Sequence, residues 1–313
     1  MAVPFDLSLG VIVFFAVLSL AASIVNGGLG YGYSSISTPL AILVFANKIL
    51  NPAYVLLEAV LNTFMLAVSG KKNIAATYRR TLPVILALVP GVIVGSLILS
   101  AVAPLWIRFT VYVVILPLIL LQASGFRRPL KGEARAGVPL GLGVGLLYSI
   151  TTISGPPIAL FWNNQGLQQR EFKAAIAQIR IAESYLTSVS YYLLGLFTVQ
   201  SLTLFAVISP SVLIGIPIGM FIVSKVAVET FRRVCMSFDA GIVGYGLSAT
   251  LPTLFGVDPI LGDLLFLGVV ALNIRLLYRY LKSRPKSLRP GTGALEPGPK
   301  VVGGPSTIAD PGG

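Results

Sequence analysis

Histidine is absent from this 313-residue chain, and cysteine occurs once, as Cys235. Without histidine, the commonest zinc ligand and the usual general base near neutral pH are both missing. A single cysteine rules out an intrachain disulfide and a thiolate cluster. No Walker sequence is present, so ATP hydrolysis by this chain is not expected, and Gly28-x-Gly30-x-Gly32 lacks the strand–turn–helix setting of a nucleotide fingerprint. No cofactor, no metal and no enzymatic activity are expected. Charge is scarce as well: 11% of residues are Asp, Glu, Lys or Arg, against about a quarter in soluble globular proteins. The only charge before Lys48 is Asp6, so the N-terminus has no basic n-region. Leu7 to Leu20 followed by Ala21-Ala22-Ser23 imitates a signal sequence and its cleavage site. The second half of the chain leads into its own interruption with an apolar segment, however, and the first helix is expected to be retained.

Apolar sequence is what the chain has in excess, with 55% hydrophobic residues and a mean hydropathy of +0.88. Apolar runs of roughly 18 residues or more recur, the pattern of a polytopic helical membrane protein. A net charge of +12 would suggest nucleic acid in a soluble protein. Here the basic residues cluster between apolar runs, which is the positive-inside pattern, and no nucleic-acid partner is expected. Candidate segments cover residues 7–25, a short 37–45, 53–68, 82–100 and 109–121. After a charged stretch at 127–135 come 138–151, a short 156–162, 174–194, 202–221, 238–254 and 260–280. The short pieces cannot cross alone and read as half-helices or re-entrant arms.

The expected architecture is an all-α polytopic membrane protein of two inverted five-segment repeats with broken helices, at 1–125 and 126–257. One C-terminal helix at 258–283 and a disordered cytoplasmic tail at 284–313 complete it. Weak internal similarity supports the repeat. Pro39 matches Pro157, Glu58 matches Glu183, Gly70 matches Gly195 and Arg108 matches Arg232, while Gly91-x-x-x-Gly95 matches Gly215-x-x-x-Gly219. Such glycine pairs let helix backbones approach closely and are read as packing, within the protomer or in a homodimer. Lys and Arg fill 71–80, 127–135, 225–233 and 275–289, which places those connections in the cytoplasm. Five segments per repeat then invert the second copy, with the N-terminus outside and the C-terminus inside a bacterial inner membrane. The basic start of the tail could touch anionic membrane lipid.

Two interruptions carry the functional expectation: Asn26-Gly27-Gly28-Leu29-Gly30-Tyr31-Gly32 through Pro39, and Gly143 through Thr151-Thr152-Ile153-Ser154-Gly155-Pro156-Pro157. Paired breaks in corresponding halves point to a ligand site. At the first, Ser37 or Thr38 is expected to cap a half-helix with Pro39 in its first turn. At the second, Ser154 or Gly155 caps and Pro156 starts the helix. Each start would aim unpaired N–H groups and the positive end of a helix dipole into the break, which suits an anion. The alternative is that the glycines only permit packing and the prolines only kink.

Expected substrate-binding residues are Gly30, Tyr31, Gly32, Tyr33, Ser34, Ser35, Thr38, Thr151, Thr152, Ser154, Gly155, Asn163 and Arg180. Their hydroxyl and amide groups can donate to oxyanion oxygens, although some must satisfy backbone groups freed by the breaks. Charges inside apolar segments are informative because they are rare. Arg180 and Glu183 are three apart on a helix and can pair locally. In the functional alternative Arg180 attracts a small anionic substrate, and Glu58 or Glu183 carries a coupling proton. Asn62 and Gln178 lie on segments that could line the same pathway.

Through both breaks and the two Gly-x-x-x-Gly pairs, over roughly residues 10–255, the sequence resembles the sulfite exporter TauE/SafE family, also called the 4-toluene sulfonate uptake permease family. The resemblance implies secondary transport of a sulfur-containing anion such as sulfite, sulfoacetate or another organosulfonate. Ser154-Gly155-Pro156-Pro157 stands where the family often has a run of glycines, a departure that bears on the ligand more than on the fold. The competing readings are a passive anion channel and an intramembrane enzyme or sensor built on Glu58, Arg180 and Glu183.

Overall fold

Helix is the only regular structure among the described residues, which are 8–124, 132–167, 169–225 and 228–282 of a computed structural model. The helices are α1 (Leu9–Leu29), α2 (Tyr33–Ala41), α3 (Asn47–Ser69), α4 (Lys71–Ala101), α5 (Pro104–Ser124), α6 (Glu133–Thr151), α7 (Gly155–Asn164), α8 (Gln169–Leu193), α9 (Val199–Lys225), α10 (Val228–Phe255) and α11 (Pro259–Lys282). Seven of them, α1, α3, α4, α5, α9, α10 and α11, are long and apolar enough to cross a membrane. α8 is less apolar because Gln178, Arg180 and Glu183 lie along it, all buried. With nine and ten residues, α2 and α7 reach roughly 14–15 Å, half the hydrocarbon core.

All eleven expected segments are present, and the differences lie at their ends. The first break is shorter than expected. Asn26 to Leu29 continue α1, which Gly30 ends in the left-handed conformation at φ 85°. α2 then starts at Tyr33 behind Gly32, so the expected cap at Ser37 or Thr38 is not there and Pro39 lies near the end of the half-helix. Gly32 at φ 111° turns the chain before any Ser/Thr signal is reached. Ser37 donates to Tyr33 O at 2.7 Å, a bond back along the same helix instead of a cap. The second break follows expectation, with Ser154 at the N-cap position and prolines in the first turn of α7. Residues 71–80, expected as a charged connection, form the first turns of α4. There Arg80 Nε donates to Glu133 Oε1 at 2.6 Å and its guanidinium lies 5.6 Å from the Trp162 ring. Most of the charged stretch 127–135 and the tail at 284–313 lie outside the described residues.

Helices early in the chain pack on helices late in it. α1 lies along α9 and α6 along α4; α2 touches α10 and α7 touches α5; α3 meets α8, and α5 meets α10. Hydrophobic transfer does not drive helices together in lipid, so close packing and interhelical hydrogen bonds must. A Cβ on Gly27 would fall 2.2 Å from Ile216 O of α9, and one on Gly219 would fall 1.9 Å from Ile24 O of α1. In the other pair, Gly91 and Gly95 of α4 meet Leu142 and Leu146 of α6, while Gly141 and Gly145 of α6 meet Val84 and Leu88 of α4. The two Gly-x-x-x-Gly pairs are therefore packing features within the protomer. Leucines, isoleucines and phenylalanines on the outer faces, such as Leu86, Ile93, Leu213 and Phe221, are exposed to the bilayer side.

Candidate functional site

The two breaks meet inside the protein. Thr38 of α2 and Thr152, the residue that ends α6, are within 3.2 Å through their hydroxyls. Tyr31, Tyr33, Ser34, Ser35, Thr151 and Ser154 of the same two segments are all buried. Thr152 is held at φ 61°, the one non-glycine residue of positive φ among the described residues. That conformation costs about 1–2 kcal/mol for a residue with a Cβ.

Broken helices leave carbonyls that lipid cannot satisfy, and side chains from neighbouring helices supply the donors. Asn51 of α3 donates to Ile150 O at 2.5 Å and Tyr112 of α5 donates to Pro39 O at 2.9 Å. Arg108 donates to Ile42 O. Thr151 serves its own break: its hydroxyl donates to Leu147 O at 2.7 Å and accepts from the Ile153 N–H at 3.0 Å.

The N-terminal ends differ in what they offer. An α-helix start leaves four N–H groups without an intrahelical acceptor. For α2 these belong to Gly32, Tyr33, Ser34 and Ser35, and no side chain caps them. For α7 the four positions are Ser154, Gly155, Pro156 and Pro157, and the prolines have no N–H to give. α7 has Arg180 in addition: a Cβ on Gly155 would meet its Nη1 at 3.2 Å and the Tyr31 ring at 2.8 Å. Only glycine lets the helix start, the guanidinium and the aromatic ring come this close.

Arg180 is fully buried, and its ion pair is with Glu58 of α3, not with its helix neighbour Glu183. Nη2 donates to Glu58 Oε1 at 2.6 Å. The expected local pair is thus replaced by one across the α3–α8 contact. The same Glu58 oxygen accepts the hydroxyl of Ser34, which ties the start of α2 to the pair. Glu183 instead faces α7, where Oε2 accepts the Ser154 hydroxyl at 2.6 Å. Several polar atoms here have no hydrogen-bond partner among the described residues: Arg180 Nε, Glu58 Oε2, Glu183 Oε1 and both ends of the Asn26 amide. Unpaired buried polar atoms are costly, and these five lie on the segments that flank the two breaks.

Most of the expected site residues are therefore gathered at one locus. Asn163 is not among them: it is half-buried at the far end of α7, about two turns from Ser154. Gln178 is held away by α4, with Nε2 donating to Thr77 Oγ1 at 2.7 Å and Oε1 accepting from Thr81 at 2.9 Å. Asn62 donates to Ser184 Oγ at 3.0 Å, fastening α3 to α8 one turn from the ion pair. Asn26 was not among the expected site residues. The signal for it was an amide inside an apolar run, obscured by the glycines that follow.

The family model described as "Sulfite exporter TauE/SafE" matches residues 15–247, well over half of the chain and inclusive of both breaks, Glu58, Arg180 and Glu183. No curated protein and no solved structure matches the chain.

Proposed function

Because the chain belongs to the TauE/SafE sulfite exporter family of membrane transporters, we propose that it is a secondary transporter. It carries a small sulfur-containing anion (an organosulfonate, sulfoacetate or sulfite) across the bacterial inner membrane by alternating access. The observation that carries this reading is the position of Arg180. A buried guanidinium with an unpartnered Nε stands at the start of α7, where the α2 break closes on it. An R–SO3⁻ group has three oxygens for such a set: backbone N–H groups of α2 on one side, Arg180 and the Gly155 N–H on the other. Tyr31, Tyr33, Ser34, Ser35, Thr38 and Ser154 surround it with hydroxyls, and Glu58 and Glu183 are the groups through which a proton gradient would act.

The reciprocal contacts of α1 with α9 and α6 with α4 are what an inverted repeat would produce, with the N-terminus outside and the C-terminus inside. Rocking one five-helix unit against the other about α3 and α8 would expose the breaks to each side in turn. The test is uptake of radiolabelled sulfite and sulfoacetate into proteoliposomes, with and without a pH gradient. Saturable flux that a gradient drives uphill is expected. Flux that never saturates would make the protein a channel, and no flux of any sulfur oxyanion would refute the proposal.

A further inference from the structure

Resting on the function just proposed, the geometry points to a specific regulation of the same site: Glu58 is a tethered counter-anion that a substrate anion must displace from Arg180, and the displaced carboxylate takes up one proton per anion bound. Three observations lead there. Arg180 is the positive charge that reaches the start of α7, and its Nη2 is already held by a carboxylate 2.6 Å away. Both partners are buried, at 1% and 0% side-chain exposure, so neither is compensated by water. Glu58 Oε2 has no hydrogen-bond partner among the described residues; Oε1 already accepts from both Arg180 and Ser34.

Charge then dictates the order of events. The Arg180–Glu58 pair carries no net charge, and each group is the other's counter-charge. A monoanion that takes Arg180 would leave the Glu58 carboxylate without a counter-charge in a water-poor interior, where Coulomb terms are several times their value in water. A single proton on Glu58 removes that obstacle and frees Nη2 for the incoming oxyanion. The Arg180–anion pair then carries the same net charge as the Arg180–Glu58 pair did. On release, Glu58 gives up the proton and returns to Arg180, which expels the anion. The empty carrier crosses with the Glu58–Arg180 pair closed, and the loaded carrier crosses with the anion–Arg180 pair and a neutral Glu58. Anion and proton therefore move together: a proton alone would leave Arg180 buried without a counter-charge, and an anion alone would leave the Glu58 carboxylate so.

The titratable groups acting on Glu58 are Tyr33 from α2, Tyr54 from α3 itself, Tyr148 from α6, and Arg180 and Glu183 from α8. Glu183 is the competing proton acceptor among them, and its separate bond to Ser154 lets the two be told apart.

The experiment is calorimetric titration of the full-length protein in detergent with methanesulfonate, and separately with ethanesulfonate, both monoanions. Buffers of different ionisation enthalpy report the protons taken up on binding. About one proton per anion is expected, with affinity rising close to tenfold for each unit that pH falls between 8 and 6, as linkage requires. Glu58→Gln should bind at pH 8 at least as tightly as the unmodified protein does at pH 6, with no proton uptake, whereas Glu183→Gln should keep the uptake. Should Glu58→Gln not fold, the pH series on the unmodified protein and on Glu58→Asp decides alone. Binding without proton uptake, or uptake that persists in Glu58→Gln, overturns this inference and leaves the transport reading intact. Failure of both anions to bind at any pH removes the anion-transport reading and this inference with it.

Discussion

Glycine placement on α6 gives the sharpest test of how the membrane helices are held. Gly141, Gly143 and Gly145 lie within a turn and a half of one another, yet their surroundings differ. A Cβ at 141 would fall 2.2 Å from Val84 O and 2.9 Å from the Ala87 Cβ, and one at 145 would fall 2.6 Å from Leu88 O; at 143 there is nothing within 4 Å. Ordinary contact begins at 3.4 Å, so Gly141→Ala must part α6 from α4 by about 1 Å, and the obstacle is backbone that cannot swing aside. All three substitutions share the helix-propensity gain, up to about 1 kcal/mol for glycine to alanine. The difference between 141 and 143 therefore isolates the packing penalty, about 1–3 kcal/mol for an overfilled site. Thermal unfolding in detergent should show Gly143→Ala unchanged or slightly more stable, Gly141→Ala clearly less stable, and Gly145→Ala between them. Equal melting of Gly141→Ala and Gly143→Ala would refute the proposal that close α4–α6 backbone approach stabilises the fold.

Further outcomes are expected at the breaks. Arg180→Lys keeps the charge for Glu58 but loses the planar fork at α7; anion affinity measured by calorimetry should fall ten- to a hundredfold, from the loss of one charged hydrogen bond of about 1.5–3 kcal/mol, with folding retained. Thr152→Gly removes the strain at φ 61° and should raise stability by about 1 kcal/mol, while loss of the hydroxyl contact to Thr38 weakens binding; a melting temperature that falls would count against strain at that residue. Ser154→Ala leaves Glu183 without its donor, and unfolding in detergent should show a loss of about 1–3 kcal/mol.

Much of the fold could be read from apolar run length alone, since lipid restricts a spanning chain to a few forms. The two glycine pairs declared their packing role because a pair of small residues four apart has few other uses in a membrane helix. The start of α2 was misplaced by five or so residues for a definite reason: Ser37-Thr38-Pro39 has the composition of a helix start, and composition does not report that Gly32 has already turned the chain. Lys71 to Arg80 read as a connection because charge and helix ends correlate, although lysine and arginine are good helix formers. The Glu58–Arg180 pair could not be read at all. Sequence spacing offers Glu183 as the partner, and the true one lies 122 residues away across a helix contact.

Under the proposed function, the two prolines that open α7 set the character of the site. Backbone donors are immovable: wherever α2 goes, its N–H groups point the same way and hold the same affinity. With half of that set missing at α7 and Arg180 in its place, the proposed site would have one rigid wall and one adjustable wall. A rigid wall recognises; an adjustable wall can let go. A carrier needs both properties, because a ligand gripped equally by two fixed walls would be bound as tightly on the side of release as on the side of capture.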